Sequence, residues 1–184
     1  MTVTKLPYED LILNYCVENP NLTLREKGII AMMLLLRRQH GNVMKRSLLY
    51  TWSEADDNRT IHRAMQHIEQ LGIVEACRVN PESQFCYYFQ FPEMTPERKK
   101  EYRNANQNIS LNESCVTCVT DKSITYGERG LYLILLAHES GKNDESFIAK
   151  YTSDKFRRIQ NTRKKLVEHE YLSYRMQVSQ GHRI

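Results

Sequence analysis

Residues 22–79 can be laid over residues 124–178, and an internal repeat of that length restricts the fold more than composition does. The opening blocks read LTLREKGIIAMMLLL and ITYGERGLYLILLAH, so Thr23, Glu26, Lys27 and Gly28 fall on Thr125, Glu128, Arg129 and Gly130. The closing blocks read NRTIHRAMQHIEQLGIV and FRRIQNTRKKLVEHEYL. They place Arg59 on Arg157, Ile61 on Ile159, Ile68 on Leu166, and Ile73 and Val74 on Tyr171 and Leu172. The offset drifts from 102 to 98, which puts the small gaps in turns.

Each copy opens with a capping box, in which Thr23 or Thr125 accepts from a first-turn amide and Glu26 or Glu128 returns a bond to the cap. The first helix is predicted to run through Ile29, Ile30, Met33 and Leu34 to about Arg38. Its counterpart runs through Leu131, Leu135 and Leu136 to about Glu139. Gly41 and Gly141 are expected to end them. A short second helix follows over 45–50 or 145–151. The third starts near Asp56 or Asp57 in the first copy, and at Ser153 as N-cap in the second. Residues at three- and four-residue spacing define its buried stripe: Ile61, Ala64, Ile68 and Leu71, and in the second copy Phe156, Ile159, Thr162 and Leu166.

The first copy then changes period. Ile73–Val79 and Gln84–Phe91 alternate as strands about a proline turn, with Val79 opposite Gln84. In the second copy Tyr171–Val178 is expected to form the outgoing strand, and the return strand is missing or very short.

Three helices followed by a hairpin resemble the winged helix-turn-helix, and the chain resembles a tandem pair of them over about 125 of its 184 residues. Tandem winged helices are similar to plasmid and phage replication initiators, and the block LTLREKGIIAMMLLL resembles DnaD-type primosomal and mobile-element regulators. The expected fold class is mainly α with small β-hairpin wings (α+β). The expected domains are a winged helix over 1–94, a linker with a short polar helix over 95–123, and a second winged helix with a truncated wing over 124–184. The resemblance implies duplex DNA binding, with each third helix as the reader.

Charge points the same way for the second copy. Residues 1–95 carry 10 Lys and Arg against 11 Asp and Glu, whereas residues 96–184 carry 16 against 11. Six basic residues and no acidic one lie between Lys155 and Lys165, a density suited to a polyanion, although a solvated helix face would also carry such charge. A helix that buries Phe156, Ile159 and Leu166 turns Arg157, Arg158, Asn161, Lys164 and Lys165 outward. Arginine can contact guanine and asparagine adenine, so Arg157, Arg158 and Asn161 are the candidates for base contacts. Lys164 and Lys165, farther along the helix, suit phosphates, and Lys155 is a further candidate DNA contact. The same arc of the first copy shows Arg59, Thr60, Arg63, Gln66 and His67, which is polar but less basic, and ion pairs with Asp56, Asp57 or Glu69 would explain its arginines equally well. Lys45 and Arg46, at the second helix, are candidate backbone contacts; Arg78, Gln84, Arg175 and Arg183 near the wings are weaker ones.

Between the copies, Thr95 and Pro96 start a polar helix, and residues 107–123, rich in Asn, Ser and Thr, read as loop. That spacer allows two readers to occupy neighbouring major-groove segments about 34–36 Å apart. Cys115 and Cys118 form a CxxC, and the hairpin register puts Cys77 opposite Cys86, so a four-cysteine zinc site is conceivable; free thiols are the simpler reading. None of the six histidines belongs to an HExxH, and no GxxxxGK[ST] or GxGxxG is present. No enzyme activity, cofactor or metal is therefore expected.

With 41% hydrophobic and 26% charged residues, and no apolar run longer than Ile29–Leu36, the chain is expected to be cytoplasmic and not to enter a membrane. The expected role is sequence-specific regulation of transcription on a mobile element or bacterial chromosome. Two alternatives stay open: a replication initiator or primosome component, and a winged helix that binds another protein. A homodimer and the replication or transcription machinery are the partners such roles admit.

Overall fold

A computed structural model of the chain describes residues 9–40, 44–78, 85–89, 113–138 and 144–172. The fold is mainly α. The first repeat comprises α1 (Glu9–Glu18), α2 (Leu24–His40), β1 (Met44–Lys45), α3 (Arg46–Thr51), α4 (Asn58–Gln70), β2 (Val74–Arg78) and β3 (Phe85–Phe89). The second comprises α5 (Glu113–Thr120), α6 (Tyr126–Ala137), α7 (Glu145–Ile148), a 3₁₀ turn (Ala149–Tyr151) and α8 (Phe156–Glu168).

Both capping boxes form. Glu26 and Glu128 each accept from the backbone amide of their threonine, at 2.7 and 2.6 Å, and the threonine hydroxyls accept from the glutamate amides. The strands make an antiparallel sheet of order β1-β3-β2; Cys77 stands opposite Cys86, the register expected from the hairpin pattern, and the short strand β1, not expected, sets Met44 opposite Tyr87.

Helix α5 corrects the reading of residues 107–123 as loop. Cys115, Cys118 and Val119 form a buried helical stripe, and the hydroxyls of Thr117 and Thr120 are satisfied by donating back to Glu113 and Val116 carbonyls within the helix. Helix α5 is the counterpart of α1, since Cys118 and Val119 fall on Cys16 and Val17 at the same offset of 102. The duplication therefore begins one helix earlier than the capping boxes.

The two repeats meet where α2 crosses α6. A Cβ built on Gly28 would overlap the Tyr126 carbonyl oxygen, and one built on Gly130 would overlap that of Leu24. Only glycine lets the two backbones approach this closely. One buried cluster runs through both repeats, from Leu13 and Cys16 through Ile30, Met33 and Leu34 to Cys115, Leu131, Ile134, Ile159 and Leu166. Helix α1 packs on both α2 and α6, and α5 on both α6 and α2.

Two buried cations close the ends of α1 and α5. Lys27 donates from Nζ to the carbonyls of Cys16, Val17 and Asn19 at 2.5, 2.9 and 2.7 Å. Its counterpart Arg129 donates to the carbonyls of Asp121, at 2.6 Å, and Trp52. Each cation meets the negative end of a helix dipole and satisfies carbonyls that the helix leaves unpaired.

Two further expectations change at α8. Its N-cap is Lys155, two residues after Ser153. Phe156, expected in the stripe, is 48% exposed, because it stands at the first helical position, where the stripe runs off the end of the packed face; in the first copy Leu71, expected in the stripe of α4, is 37% exposed as the C-cap of that helix. Arg163, one of the six clustered basic residues, is turned inward and paired with Glu145 at 3.3 Å. Residues 171 and 172 close the described part of the second repeat without strand geometry. Most of the expected strand over 171–178, together with Gly41, Gly141, Arg175, Arg183 and the polar helix after Thr95, lies outside the described residues.

Candidate nucleic-acid interface

Helices α4 and α8, the counterpart readers of the two repeats, are each held at both ends. At its start, Asp56 and Asp154 occupy corresponding positions, each three residues before an arginine of the matched pair Arg59 and Arg157. Each carboxylate reaches across to the other repeat and accepts from the first helical amide there. Asp56 Oδ2 takes the Tyr126 amide at 2.6 Å, and Asp154 Oδ2 takes the Leu24 amide at 2.7 Å. The second oxygens are paired as well, Asp56 with Arg25 at 3.1 Å and Asp154 with Arg158 at 3.2 Å. Sequence reasoning missed this exchange, although the shared Asp-x-x-Arg spacing was its visible trace.

At the far end, α4 and α8 close with the same motif. The amides of Ile73 and Tyr171 bond back to the carbonyls of Ile68 and Leu166, and those of Gly72 and Glu170 to Glu69 and Val167. This geometry requires a left-handed residue at the turn. Gly72 supplies it at φ 69°, and Glu170, a non-glycine, adopts φ 63°. A histidine lies beside each capping-box glutamate: His67 Nδ1 is 2.8 Å from Glu26, and His169 Nε2 is 3.8 Å from Glu128.

On α8, Ile159, Arg163 and Leu166 face the core, which leaves Arg157, Asn161 and Lys164 in one exposed row at spacings of four and three residues, flanked by Arg158 and Lys165. Lys155 is exposed at the N-cap. Among the described residues, Lys155, Arg157 and Lys165 have no ion-pair partner. Lys164 meets Glu168 at 3.8 Å on an open surface, a pair of little energetic weight. Arg158 is 46% exposed at its side chain and is steered by Asp154, so its reach is the most restricted of the set.

The corresponding row on α4 is Arg59, Arg63 and Gln66, all exposed, with Thr60 half-buried beside it. Neither arginine is ion-paired among the described residues; Asp56, one of the expected partners, is engaged instead by Arg25, Ser53 and Tyr126. Lys45 is exposed on β1, and Arg46 is half-buried at the start of α3. Thus α8 with its cap offers five exposed cations to the two of α4. The two helices share one geometry and differ in charge.

Cys115 and Cys118 do not lie at this surface. Cys115 and Cys118 are buried inside α5, and burial raises both thiols, Cys115 to about 12. Such thiols are poor nucleophiles and poor metal ligands at neutral pH. Among the described residues no group of three or more His, Cys, Asp or Glu side chains is arranged to hold a metal ion, and no helix is long and apolar enough to cross a membrane.

Compared with known proteins, the chain matches no family model, no curated protein and no solved structure.

Proposed function

We propose that the chain is a sequence-specific double-stranded DNA-binding protein built from two winged helix-turn-helix units, and that it regulates transcription on a mobile element or bacterial chromosome. The winged-helix reading is supported in the first repeat by the succession α2, β1, α3, α4, β2 and β3, with β1 and β2 on either side of β3. In the second repeat it is supported by the matching succession α6, α7 and α8.

The observation that carries the proposal is the exposed row of α8. A helix enters the major groove, about 12 Å wide, with its outer face against the base edges. Arg157 and Asn161, nearer the N-terminus of that face, are suited to guanine and adenine edges, and Arg158 adds to them as far as Asp154 allows. Lys164 and Lys165, one turn further on, suit phosphates, as does Lys155 at the cap. On α4 the readers are Arg59, Thr60, Arg63 and Gln66, with Lys45 and Arg46 as backbone contacts. A phosphate-rich groove releases counterions when such cations arrive, so affinity must fall with salt.

The test is a titration of fluorescent duplexes, random and selected, across a salt series. The expected result is a logarithmic slope of about −0.9 for each phosphate neutralised, and tighter binding to selected duplexes. Salt-independent or undetectable binding to every duplex would refute the proposal. Chromosomal occupancy at promoters supports the regulatory role; occupancy at repeats beside an origin replaces it with replication initiation.

A further inference from the structure

We infer that one chain reads one duplex whose two half-sites are inverted with respect to each other, with the pseudo-dyad of the protein set on a dyad of the DNA. The inference rests on the duplex-reading proposal above and specifies its substrate.

Its basis is the way contacts between the repeats exchange. Gly28 lies against the Tyr126 carbonyl and Gly130 against that of Leu24, and these residues are repeat counterparts, 28 with 130 and 24 with 126. Asp56 caps at Tyr126 and Asp154 caps at Leu24. Helix α1 packs on α6 and α5 on α2. In the first two cases residue i of one copy meets residue j of the other and the counterparts meet in turn, and in the third the helices exchange in the same way. That reciprocity defines an isologous, two-fold contact, whereas copies related by translation would present two unlike surfaces to each other.

Helices α4 and α8 pack on α2 and α6 respectively and are carried by the same operator. A two-fold rotation preserves the component of any direction along its axis and reverses the component across it, so the two reading faces share one sense along that axis while their helix directions are opposed across it. Duplex DNA has dyads of its own, and a two-fold protein matches half-sites in inverted order; direct repeats require translation. The half-sites differ in base sequence, because Thr60, Arg63 and Gln66 stand where the second copy has Arg158, Asn161 and Lys164.

That difference supplies the experiment. The full chain carrying Thr60→Arg, Arg63→Asn and Gln66→Lys presents α8 reading residues on both helices. It is used to select duplexes from a random pool, and chains per bound duplex are counted by native mass spectrometry. The expected product is an inverted repeat of one half-site holding one chain, and turning one half-site around lowers affinity at least about ten-fold. Direct repeats, a lone half-site, unselective binding, two chains per duplex, or one chain bridging two duplexes would overturn the inverted arrangement and leave duplex binding standing. Loss of salt-dependent binding to every duplex by the unsubstituted chain would remove both.

A second arm needs no triple variant. In footprints of the unsubstituted chain on its own selected site, Asn161→Ala and Arg63→Ala are expected to lose protection on opposite sides of the centre and mainly on opposite strands. Losses on a single strand would overturn the inference.

Discussion

Asp56 lies seventy residues before Tyr126 in the chain, yet its carboxylate takes the Tyr126 amide at 2.6 Å and so starts a helix that belongs to the other repeat. Asp154 does the same for Leu24. Asp56→Ala and Asp154→Ala each remove a cap and a cross-repeat contact, and each is expected to cost about 1–2 kcal/mol. Urea unfolding followed by circular dichroism measures this. A loss below a few tenths of a kcal/mol in both variants would mean that the caps do not join the repeats energetically.

The α2–α6 crossing is expected to be the least tolerant point of the core. Gly28→Ala and Gly130→Ala place a methyl group against a backbone carbonyl of the opposite helix, which has no rotamer with which to move aside. Each is expected to destabilise by about 3 kcal/mol, the upper end of overpacking costs. Thermal unfolding of the pair is the check, and Gly127→Ala is the control, since a Cβ there meets only the Thr125 hydroxyl at an ordinary 3.6 Å.

Glu170 holds a left-handed backbone that its counterpart Gly72 adopts without strain. Glu170→Gly is therefore expected to stabilise the protein by about 1 kcal/mol, and Gly72→Ala to destabilise it by a similar amount. Opposite shifts in the urea midpoint would demonstrate the pairing of these two turns.

Burial lowers the Lys27 ammonium from 10.5 to about 7, with nearby Cys16, Glu18 and Glu26 opposing the shift. Between those values the unfolded chain binds more protons than the folded one, so stability should rise with pH above 7. Above about 9 the buried Cys16 thiol, raised to about 12, acts in the opposite sense, because only the unfolded chain then releases its proton. The unfolding free energy of the native chain should thus rise between pH 7 and 9 relative to that of Lys27→Met. Parallel profiles would show that Lys27 keeps its proton throughout.

For the proposed readers, Arg157→Ala and Asn161→Ala should relax sequence preference, and Arg158→Ala should do so less, because Asp154 restrains that side chain. Lys164→Ala combined with Lys165→Ala should weaken binding to all duplexes and reduce the salt slope by about two. Competition assays on selected and scrambled duplexes separate these effects. Uniform loss on every sequence for all of the variants would remove the base-reading assignment.

What could be read in the sequence was mostly local. The threonine–glutamate boxes, the spacing of Ile61, Ala64 and Ile68, and the period-two pattern around Cys77 and Cys86 each draw on near neighbours, and the structure has them, whereas Leu71, the last member of the expected stripe, is exposed at the helix end. Helix α5 escaped because its Asn-, Ser- and Thr-rich surroundings outweighed two matching residues, Cys118 and Val119. Arg163 escaped because a buried arginine is intelligible only once Glu145, eighteen residues away, is seen beside it. The carboxylates of Asp56 and Asp154 were hidden for the same reason, since a cap supplied by another repeat has its partner in a distant window, and the shared Asp-x-x-Arg spacing does not name that partner. On the proposed interface, outward-facing positions followed from helical phase, but the restraint of Arg158 by Asp154 did not.

The reciprocal crossing of α2 and α6 also bears on how the molecule assembles. Halves that fit each other in this way would, as separate chains, associate to an extent set by their abundance; a covalent tether makes the encounter intramolecular and independent of dilution. It also frees the halves from identity, so that α8 can carry five exposed charges, counting its cap, where α4 carries two, without spoiling the fit at the glycines.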